Sequence, residues 1–510
     1  MHRKTILIGL DGATWDNLMP WIKQGKLLFF KEIIEKGVHG INKTTIPCLT
    51  CPAIPSFYTG KTPVKTKVFG FRKTDGKIIS SNDIKEKRFW DHLGEAGFNS
   101  IIANLRITYP PKIKKGVMIS SMMTPSEKSE FVYPQEEKMH FEGFMNNKLD
   151  KWQMTKIEAD RKKLLQLLLK DELARFSMYT SYIKKKKYDF EFFYFGCTDT
   201  IQHRLWNSQN LVLEGYKKIE SALKEYLNNN KNANILIFSD HGFGNRPNKT
   251  FFIENWLQKE ALLYYKNPMI RKAVEYYKKA YYAIGLYVLK LFPPKYYNKI
   301  YQFIHNKKLD LKFEIAIDPP KTSMFYLDTK KTIAYLSQNW GISLIKENIT
   351  NYELIRTSII TKLKKIKDET QKPVFKDILC KEKVYPGSEK YDIIPDIIFL
   401  LNDEFEIRTG QNEKMIKKTN NNFRVEGSHD YKRNGIFMAF GPDIKQGTKI
   451  KAIDIYDLAP TILHMYGAPL PKDMDGRVLK EIFQDKSPLH NQKIKFIKKS
   501  IKINMKCFKI

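Results

Sequence analysis

Cysteine is scarce in this 510-residue chain: five residues, at positions 48, 51, 197, 380 and 507, odd in number and scattered. That excludes a disulfide framework and favours a reducing compartment. Long apolar runs are missing too. The most apolar long window, around 274–292, carries Lys278, Lys279 and Lys290, which excludes an ordinary transmembrane helix. The first residues run directly into a strand-like segment, without the apolar region and small-residue cleavage site of a signal peptide, so a cytoplasmic protein is expected. Internal repeats and low-complexity linkers are absent. Acidic residues are few, 55 against 88 basic ones, for a formal charge of +33. Of the basic residues only 14 are arginine and 74 are lysine. Nucleic-acid readers lean on arginine for bidentate contacts, so no specific nucleic-acid partner is expected. The charge predicts general attraction to polyanions, including anionic membrane surfaces and phosphorylated substrates.

The rest of the composition, 42% hydrophobic and 13% aromatic, is that of a chain able to bury a large core. Residues 4–10 read as a buried strand followed by a helix to about residue 36. A strand–turn–helix unit surrounds 43–60, and strands are expected at 98–104, 188–196 and 234–239, with helices over 155–185 and 209–228. Strands alternating with helices predict a largely parallel α/β sheet. Residues 110–150, rich in Pro, Lys, Met and Glu, read as an insertion over one edge. The Tyr- and Lys-rich stretch 262–318 reads as a helical cap inserted in a catalytic domain formed by 1–261 and 319–485. Strand-like runs follow at 322–336, 342–346 and 394–401. After Lys486 comes a basic tail, 486–510, with Ile494, Ile497, Ile501, Met505 and Phe508 at helical spacing among lysines. It fits either a frayed end or a peripheral contact with an anionic membrane, at the inner surface for a cytoplasmic protein.

The chemistry concentrates at predicted strand ends. Asp240-His241 closes Ile-Leu-Ile-Phe-Ser-Asp-His-Gly-Phe-Gly (235–244), a run of β-formers ending in a carboxylate and an imidazole. Open α/β sheets bind ligands at that end of their strands. Asp11 follows the first strand, and Asp199-(x)3-His203 puts two ligands on one face if helical. His429 stands in Gly-Ser-His. Asp and His together suit two divalent cations, zinc first and manganese second, and such pairs clamp the oxygens of phosphoryl transfer. Thr50, in Pro-Cys-Leu-Thr-Cys-Pro-Ala-Ile-Pro-Ser-Phe-Tyr-Thr-Gly (47–60), supplies a hydroxyl at a predicted helix start, where backbone N–H groups favour a phosphate. Taken singly, Asp11 reads as a strand-end cap and Thr50 as an N-cap; the constellation makes them functional candidates. A lone Cys48-Leu-Thr-Cys51 is weak evidence for metal or redox chemistry. A formylglycine sulfatase is excluded, since Thr50 and Ile54 occupy the positions of its cysteine and arginine.

These motifs, together with Leu-Ala-Pro460-Thr-Ile-Leu-His-Met-Tyr-Gly and Met474-Asp-Gly, resemble the type I phosphodiesterase/nucleotide pyrophosphatase group of the alkaline phosphatase superfamily. The resemblance covers most of 4–260 and 322–482. It implies an alkaline-phosphatase-like three-layer α/β sandwich with cap insertions. It also implies one zinc on Asp199, His203 and His429, another on Asp11, Asp240 and His241 with Thr50, and a phospho-threonine intermediate. The chain departs from the group at three places. Ala53 replaces an asparagine that contacts the phosphate, Thr66-Lys67 replaces a His-Gly pair, and Glu220 replaces an aspartate expected to support the metal ligands. The expected activity is hydrolysis of a phosphodiester or pyrophosphate bond in a small-molecule, lipid or glycan phosphate ester. Alternatives are a phosphomonoesterase or phosphonate hydrolase, a phosphoryl-alcohol transferase, and a non-catalytic polyanion-binding protein.

Overall fold

The computed structural model describes residues 2–73, 77–121, 123–145, 160–267, 326–338, 340–410, 412, 414–419, 425–429 and 434–497. They form two compact units, 1–246 with 423–510, and 247–422.

The first unit is built on one ten-stranded sheet. Its early strands are β1 (Thr5–Leu10), β2 (Gly37–Lys43), β3 (Ser100–Leu105), β4 (Gly116–Ser120), β5 (Val132–Tyr133), β6 (Phe190–Phe195) and β7 (Asn234–Phe238), and β8 (Gly244–Asn245) lies outside it. In the second unit β9 (Lys249–Phe252) is flanked by β14 (Phe405–Arg408) and β15 (Ile416–Lys418). A separate antiparallel sheet there contains β10 (Ala334–Gln338), β11 (Gly341–Leu344), β12 (Phe375–Cys380) and β13 (Ile397–Leu401). The chain then returns to the first unit with β16 (Gly427–Ser428), which pairs with β8, and with β17 (Asn434–Phe440), β18 (Thr448–Lys449) and β19 (Ile453–Asp454).

The central order is β7-β1-β6-β3-β4, all parallel, so these strands present their carboxyl ends along one edge. Antiparallel β17 joins β7 to β2 on the far side. These strands are almost wholly apolar because both faces are covered. Alternation divides them: Ile6, Ile8, Phe193, Phe195, Ile235 and Ile237 enter one core. Leu7, Phe190, Phe192, Leu236 and Phe238 enter the other. Helices Arg161–Ile183 and Gln209–Asn228 cover the first face; Thr50–Thr59 and Leu458–Met465 cover the second. The result is the expected three-layer α/β sandwich.

Several sequence expectations are revised. The helix expected to reach residue 36 is two, Trp15–Lys23 and Leu28–Lys36, broken where Gly25 takes φ +68. Within 110–150, residues 116–120 are not an insertion but β4 of the central sheet; their short apolar run is hidden among lysines and prolines. The proposed cap at 262–318 lies outside the described residues from 268 onward. In the 486–510 tail, Pro488–Asn491 is a short helix, Ser487 is buried, and Ile494 packs against the second core; 498–510 lie outside the described residues. No helix among the described residues is long and apolar enough to cross a membrane.

Gly116 opens β4 at φ +120, opposite Ser100 of β3. A Cβ there would lie 1.8 Å from the Ser100 carbonyl oxygen, a backbone atom held in the ladder. Gly116→Ala therefore combines a forbidden backbone region with a collision. It should destabilise the first unit by more than about 2 kcal/mol, read as a lower urea midpoint; an unchanged midpoint would show that β4 is loosely held.

Candidate active site

Three adjacent strands deliver three acids to one place. Asp11 follows β1, Asp240-His241 follows β7 after Ser239, and Asp199 sits in the first turn of helix Cys197–Leu205, two residues after β6 ends. The tight turn after Asp11 uses Gly12 at φ +67, and the Gly12 N–H donates to Asp240 Oδ1 (3.2 Å). Glu172, buried on helix Arg161–Ile183, accepts from Gly196 N (2.6 Å) and Cys197 N (3.4 Å). It thereby satisfies the free N–H groups where the Asp199 helix starts.

Thr50 arrives from the opposite face of the sheet. It is the first residue of helix Thr50–Thr59 and is buried. The N-cap is Leu49, so Thr50 is not an N-cap residue and its hydroxyl is left for another task. Its Oγ1 lies 3.1 Å from His241 Nε2. His241 Nε2 is also 3.4 Å from Asp240 Oδ2 and 3.6 Å from Asp11 Oδ1. On the other side, His203 Nε2 is 3.4 Å and His429 Nε2 3.9 Å from Asp199 Oδ1. The rings of His241 and His429 stack at 4.0 Å.

The three imidazoles share one arrangement. Nδ1 of His203 meets the Gly427 carbonyl (2.9 Å), Nδ1 of His241 the Gly242 carbonyl (2.9 Å), and Nδ1 of His429 the Cys48 carbonyl (3.1 Å). A carbonyl can only accept, so each Nδ1 carries a proton, and Nε2 is the ring nitrogen turned toward the carboxylates. That is how ligating histidines are oriented.

Two groups of side chains converge closely enough to hold an ion: Asp11, Asp240 and His241, and Asp199, His241 and His429. His203 joins the second through its approach to Asp199. Asp11 Oδ1, Asp199 Oδ1 and Asp240 Oδ2 are buried and accept no hydrogen bond among the described residues. Buried carboxylate oxygens without donors are costly unless a cation is meant for them, so the donor set fits divalent metal.

The electrostatics of the carboxylates diverge. Burial, reinforced by Asp240 and Asp199, pushes the Asp11 carboxyl well above its usual range, against the lowering pull of Arg106. Burial also opposes ionisation of Asp199, but His203, His429 and Arg106 outweigh it and hold that carboxyl below its usual range.

Arg106 is the residue that sequence reasoning missed. It follows β3, the fourth parallel strand in the row, and its Nη2 reaches Asp11 Oδ2 at 2.6 Å. The 98–104 strand was legible, and the position just past its end was the available signal. Glu220, expected to support the metal ligands, instead accepts from Phe30 N (2.9 Å) at the start of helix Leu28–Lys36. Cys48 and Cys51 are buried and not disulfide-bonded; Cys51 Sγ donates to the Gly70 carbonyl. Lys67 holds the left-handed backbone (φ +59) where the family's pair has glycine.

Carboxylates and imidazoles grouped around a hydroxyl, at the carboxyl edge of a largely parallel sheet, define a metal-dependent hydrolase of the alkaline-phosphatase-like fold. The chain belongs to the type I phosphodiesterase / nucleotide pyrophosphatase family, whose model matches residues 5–432. Among solved structures it is similar to murine ectonucleotide pyrophosphatase / phosphodiesterase 5, with 12% identity and a TM-score of 0.51, covering 94% of this chain and 100% of that one. The human counterpart is 14% identical, with a TM-score of 0.51 and the same coverage. An inactive threonine-to-alanine variant of the murine protein, in complex with AMP, gives 13% identity and a TM-score of 0.52, again over 94% and 100%. No curated protein matches the sequence.

Proposed function

We propose that the chain cleaves a phosphodiester or pyrophosphate bond in a nucleotide-type phosphate ester, through a covalent phospho-threonine on Thr50. Asp199, His203 and His429 would hold one divalent cation, zinc or manganese, and Asp11, Asp240 and His241 the other. The observation that carries this reading is the position of Thr50 Oγ1, 3.1 Å from the Nε2 of His241, the imidazole that belongs to both ligand groups. An alanine for threonine accompanies inactivity in the murine relative, and that variant binds AMP, which supports both the nucleophile and the substrate class.

When bound, the cations would supply Lewis acidity, lowering the pKa of a hydroxyl and neutralising charge on phosphate oxygens. The chain's residues do the rest. Thr50 Oγ gives up its proton to solvent as it attacks phosphorus; the Oγ–P bond forms, the P–O bond to the leaving group breaks, and the leaving oxygen departs with its electron pair and takes a proton from solvent. Water then attacks the same phosphorus and gives up a proton, the Oγ–P bond breaks, and Oγ takes a proton back, returning the hydroxyl. The free N–H groups at the start of helix Thr50–Thr59 face an anion held at Thr50. The Nδ1 bonds to backbone carbonyls keep the three imidazoles from turning, so attack geometry is fixed before substrate arrives.

The purified protein with zinc is expected to turn over bis-para-nitrophenyl phosphate at least about tenfold faster, in kcat/KM, than the mono ester. Preference for the mono ester would replace the diesterase reading with a phosphomonoesterase one.

A further inference from the structure

Helix Arg161–Ile183 grips the helix that carries Asp199 and His203 at both of its ends. At the start, Glu172 accepts from Gly196 N and Cys197 N and is itself held: Oε1 also accepts from Asn104 Nδ2 (3.2 Å), and Oε2 from Arg175 Nη1 (2.9 Å). At the far end the grip passes through Glu426. Arg161 donates to it with both arms of its guanidinium, Nη1 to Oε1 (2.6 Å) and Nη2 to Oε2 (2.9 Å). Oε2 accepts in addition from Asn207 N (2.9 Å), just past the end of helix Cys197–Leu205. The Glu426 N–H donates to the His203 carbonyl (2.7 Å), and the Glu426 carbonyl accepts from Arg246 N (3.3 Å). The intervals match. Glu172 lies eleven residues after Arg161. That is about three turns, so both face the same way, about 16 Å apart along the axis. Gly196 and Asn207 are also eleven residues apart. The two helices therefore run antiparallel, anchored at equal spacing.

We propose that Arg161 is a positioning residue for the cation held by Asp199, His203 and His429, acting through Glu426. This rests on the two-cation reading above. Glu426 opens the short stretch that runs through Gly427, whose carbonyl meets His203 Nδ1, to His429. One residue thus fixes both the His203 backbone and the strand that delivers His429, whose rings stand 5.1 Å apart. The pair is partly exposed, Arg161 by about a third (36%). A single ion pair at such a place contributes little to stability, and a bidentate pair inside a network is the exception. The fork also has a set direction, which a point charge lacks. Its contribution is geometric: it keeps His203 and His429 at the separation that one ion requires. Asp11 and Asp240-His241 are carried instead by the ends of β1 and β7, so their group does not depend on this pair.

The test is calorimetric titration of the chelator-stripped full chain with zinc. Arg161→Ala should weaken one of two zinc sites by about 10- to 100-fold, the loss typical when a ligand's support is removed, and leave the other within about twofold. In an Asp199→Asn, His203→Ala background, which keeps only the Asp11 group, adding Arg161→Ala should change zinc affinity by less than about twofold. Arg161→Lys, with one charged contact in place of a fork, should fall between Arg161→Ala and wild type. Equal weakening of both sites, or a loss that persists in that background, would show that Arg161 merely supports the fold and would overturn the proposal. An Arg161→Ala isotherm identical to wild type would overturn it too. Glu426→Gln keeps the shape and loses the charge; it should reproduce the loss, and it decides the matter if Arg161→Ala does not fold. Failure of the underlying two-cation reading is separately visible, as an Asp199→Asn, His203→Ala protein that binds as much zinc as wild type.

Discussion

Thr50→Ala lowers kcat on a phosphodiester by at least about a thousandfold while zinc still binds: that is the expected result of removing the hydroxyl and nothing else. The fold has little reason to respond. Alanine is the best helix former, Leu49 holds the N-cap position, and no side-chain cap is lost. The neighbouring ligands are oriented by the Gly427, Gly242 and Cys48 carbonyls, none of which involves the Thr50 side chain. Thr50→Ser keeps the nucleophilic oxygen and should recover a measurable part of the rate. The measurement is steady-state turnover beside metal content by mass spectrometry. A Thr50→Ala protein retaining more than about a tenth of wild-type kcat would mean that water attacks directly and that no phospho-threonine forms.

The second large effect belongs to His241. It is fully buried, it lies in both ligand groups, and it is the histidine that contacts Thr50. His241→Ala removes one imidazole from two ion sites at once, and leaves Asp11 Oδ1 and Asp240 Oδ2 without a facing nitrogen. Activity should fall at least about a hundredfold, beyond the loss typical of disturbing a ligand's support. Zinc content should fall by half or more. Ligand binding raises stability by mass action, so the rise in melting temperature that zinc gives the wild type should shrink with it. Turnover, metal analysis and melting with and without zinc check this together. A variant that binds as much zinc as wild type, with the same stabilisation, would move His241 out of the ligand set and leave it as a partner of Thr50 alone.

Much of this site was legible before folding. Asp11 and Asp240-His241 stand directly after runs of β-formers, and a strand's end is where a parallel sheet exposes polar groups. Asp199 and His203 are four apart, which is one helical turn, and the helix Cys197–Leu205 provides it. Other parts were hidden. Arg106 has no ligand spacing to any partner; it matters only because β3 lies beside β6, two strands from β1. Glu172 sits in a leucine-rich helical stretch where a single acid reads as a solvated position, yet it is buried against Gly196 and Cys197. Glu220 misled in the opposite sense. Its place before the Asp-His strand suggested a link to the metal ligands, but a helix side chain is aimed by its face, and this one faces the start of Leu28–Lys36. The strand at 116–120 was missed because three apolar residues among lysines carry little periodic signal.

The sequence by itself determined the periodicities of the sheet and its helices, the family, and the identities of the acids, imidazoles and hydroxyl, because these depend on spacing along the chain. Only the tertiary structure decided that Thr50, from a helix on one face of the sheet, meets His241, which converges with Asp199 from a helix on the other. It alone decided that the three site imidazoles turn Nε2 toward the carboxylates and that an arginine stands among them. Those facts depend on strand order and on which backbone carbonyl faces which ring, and neither is written in local spacing.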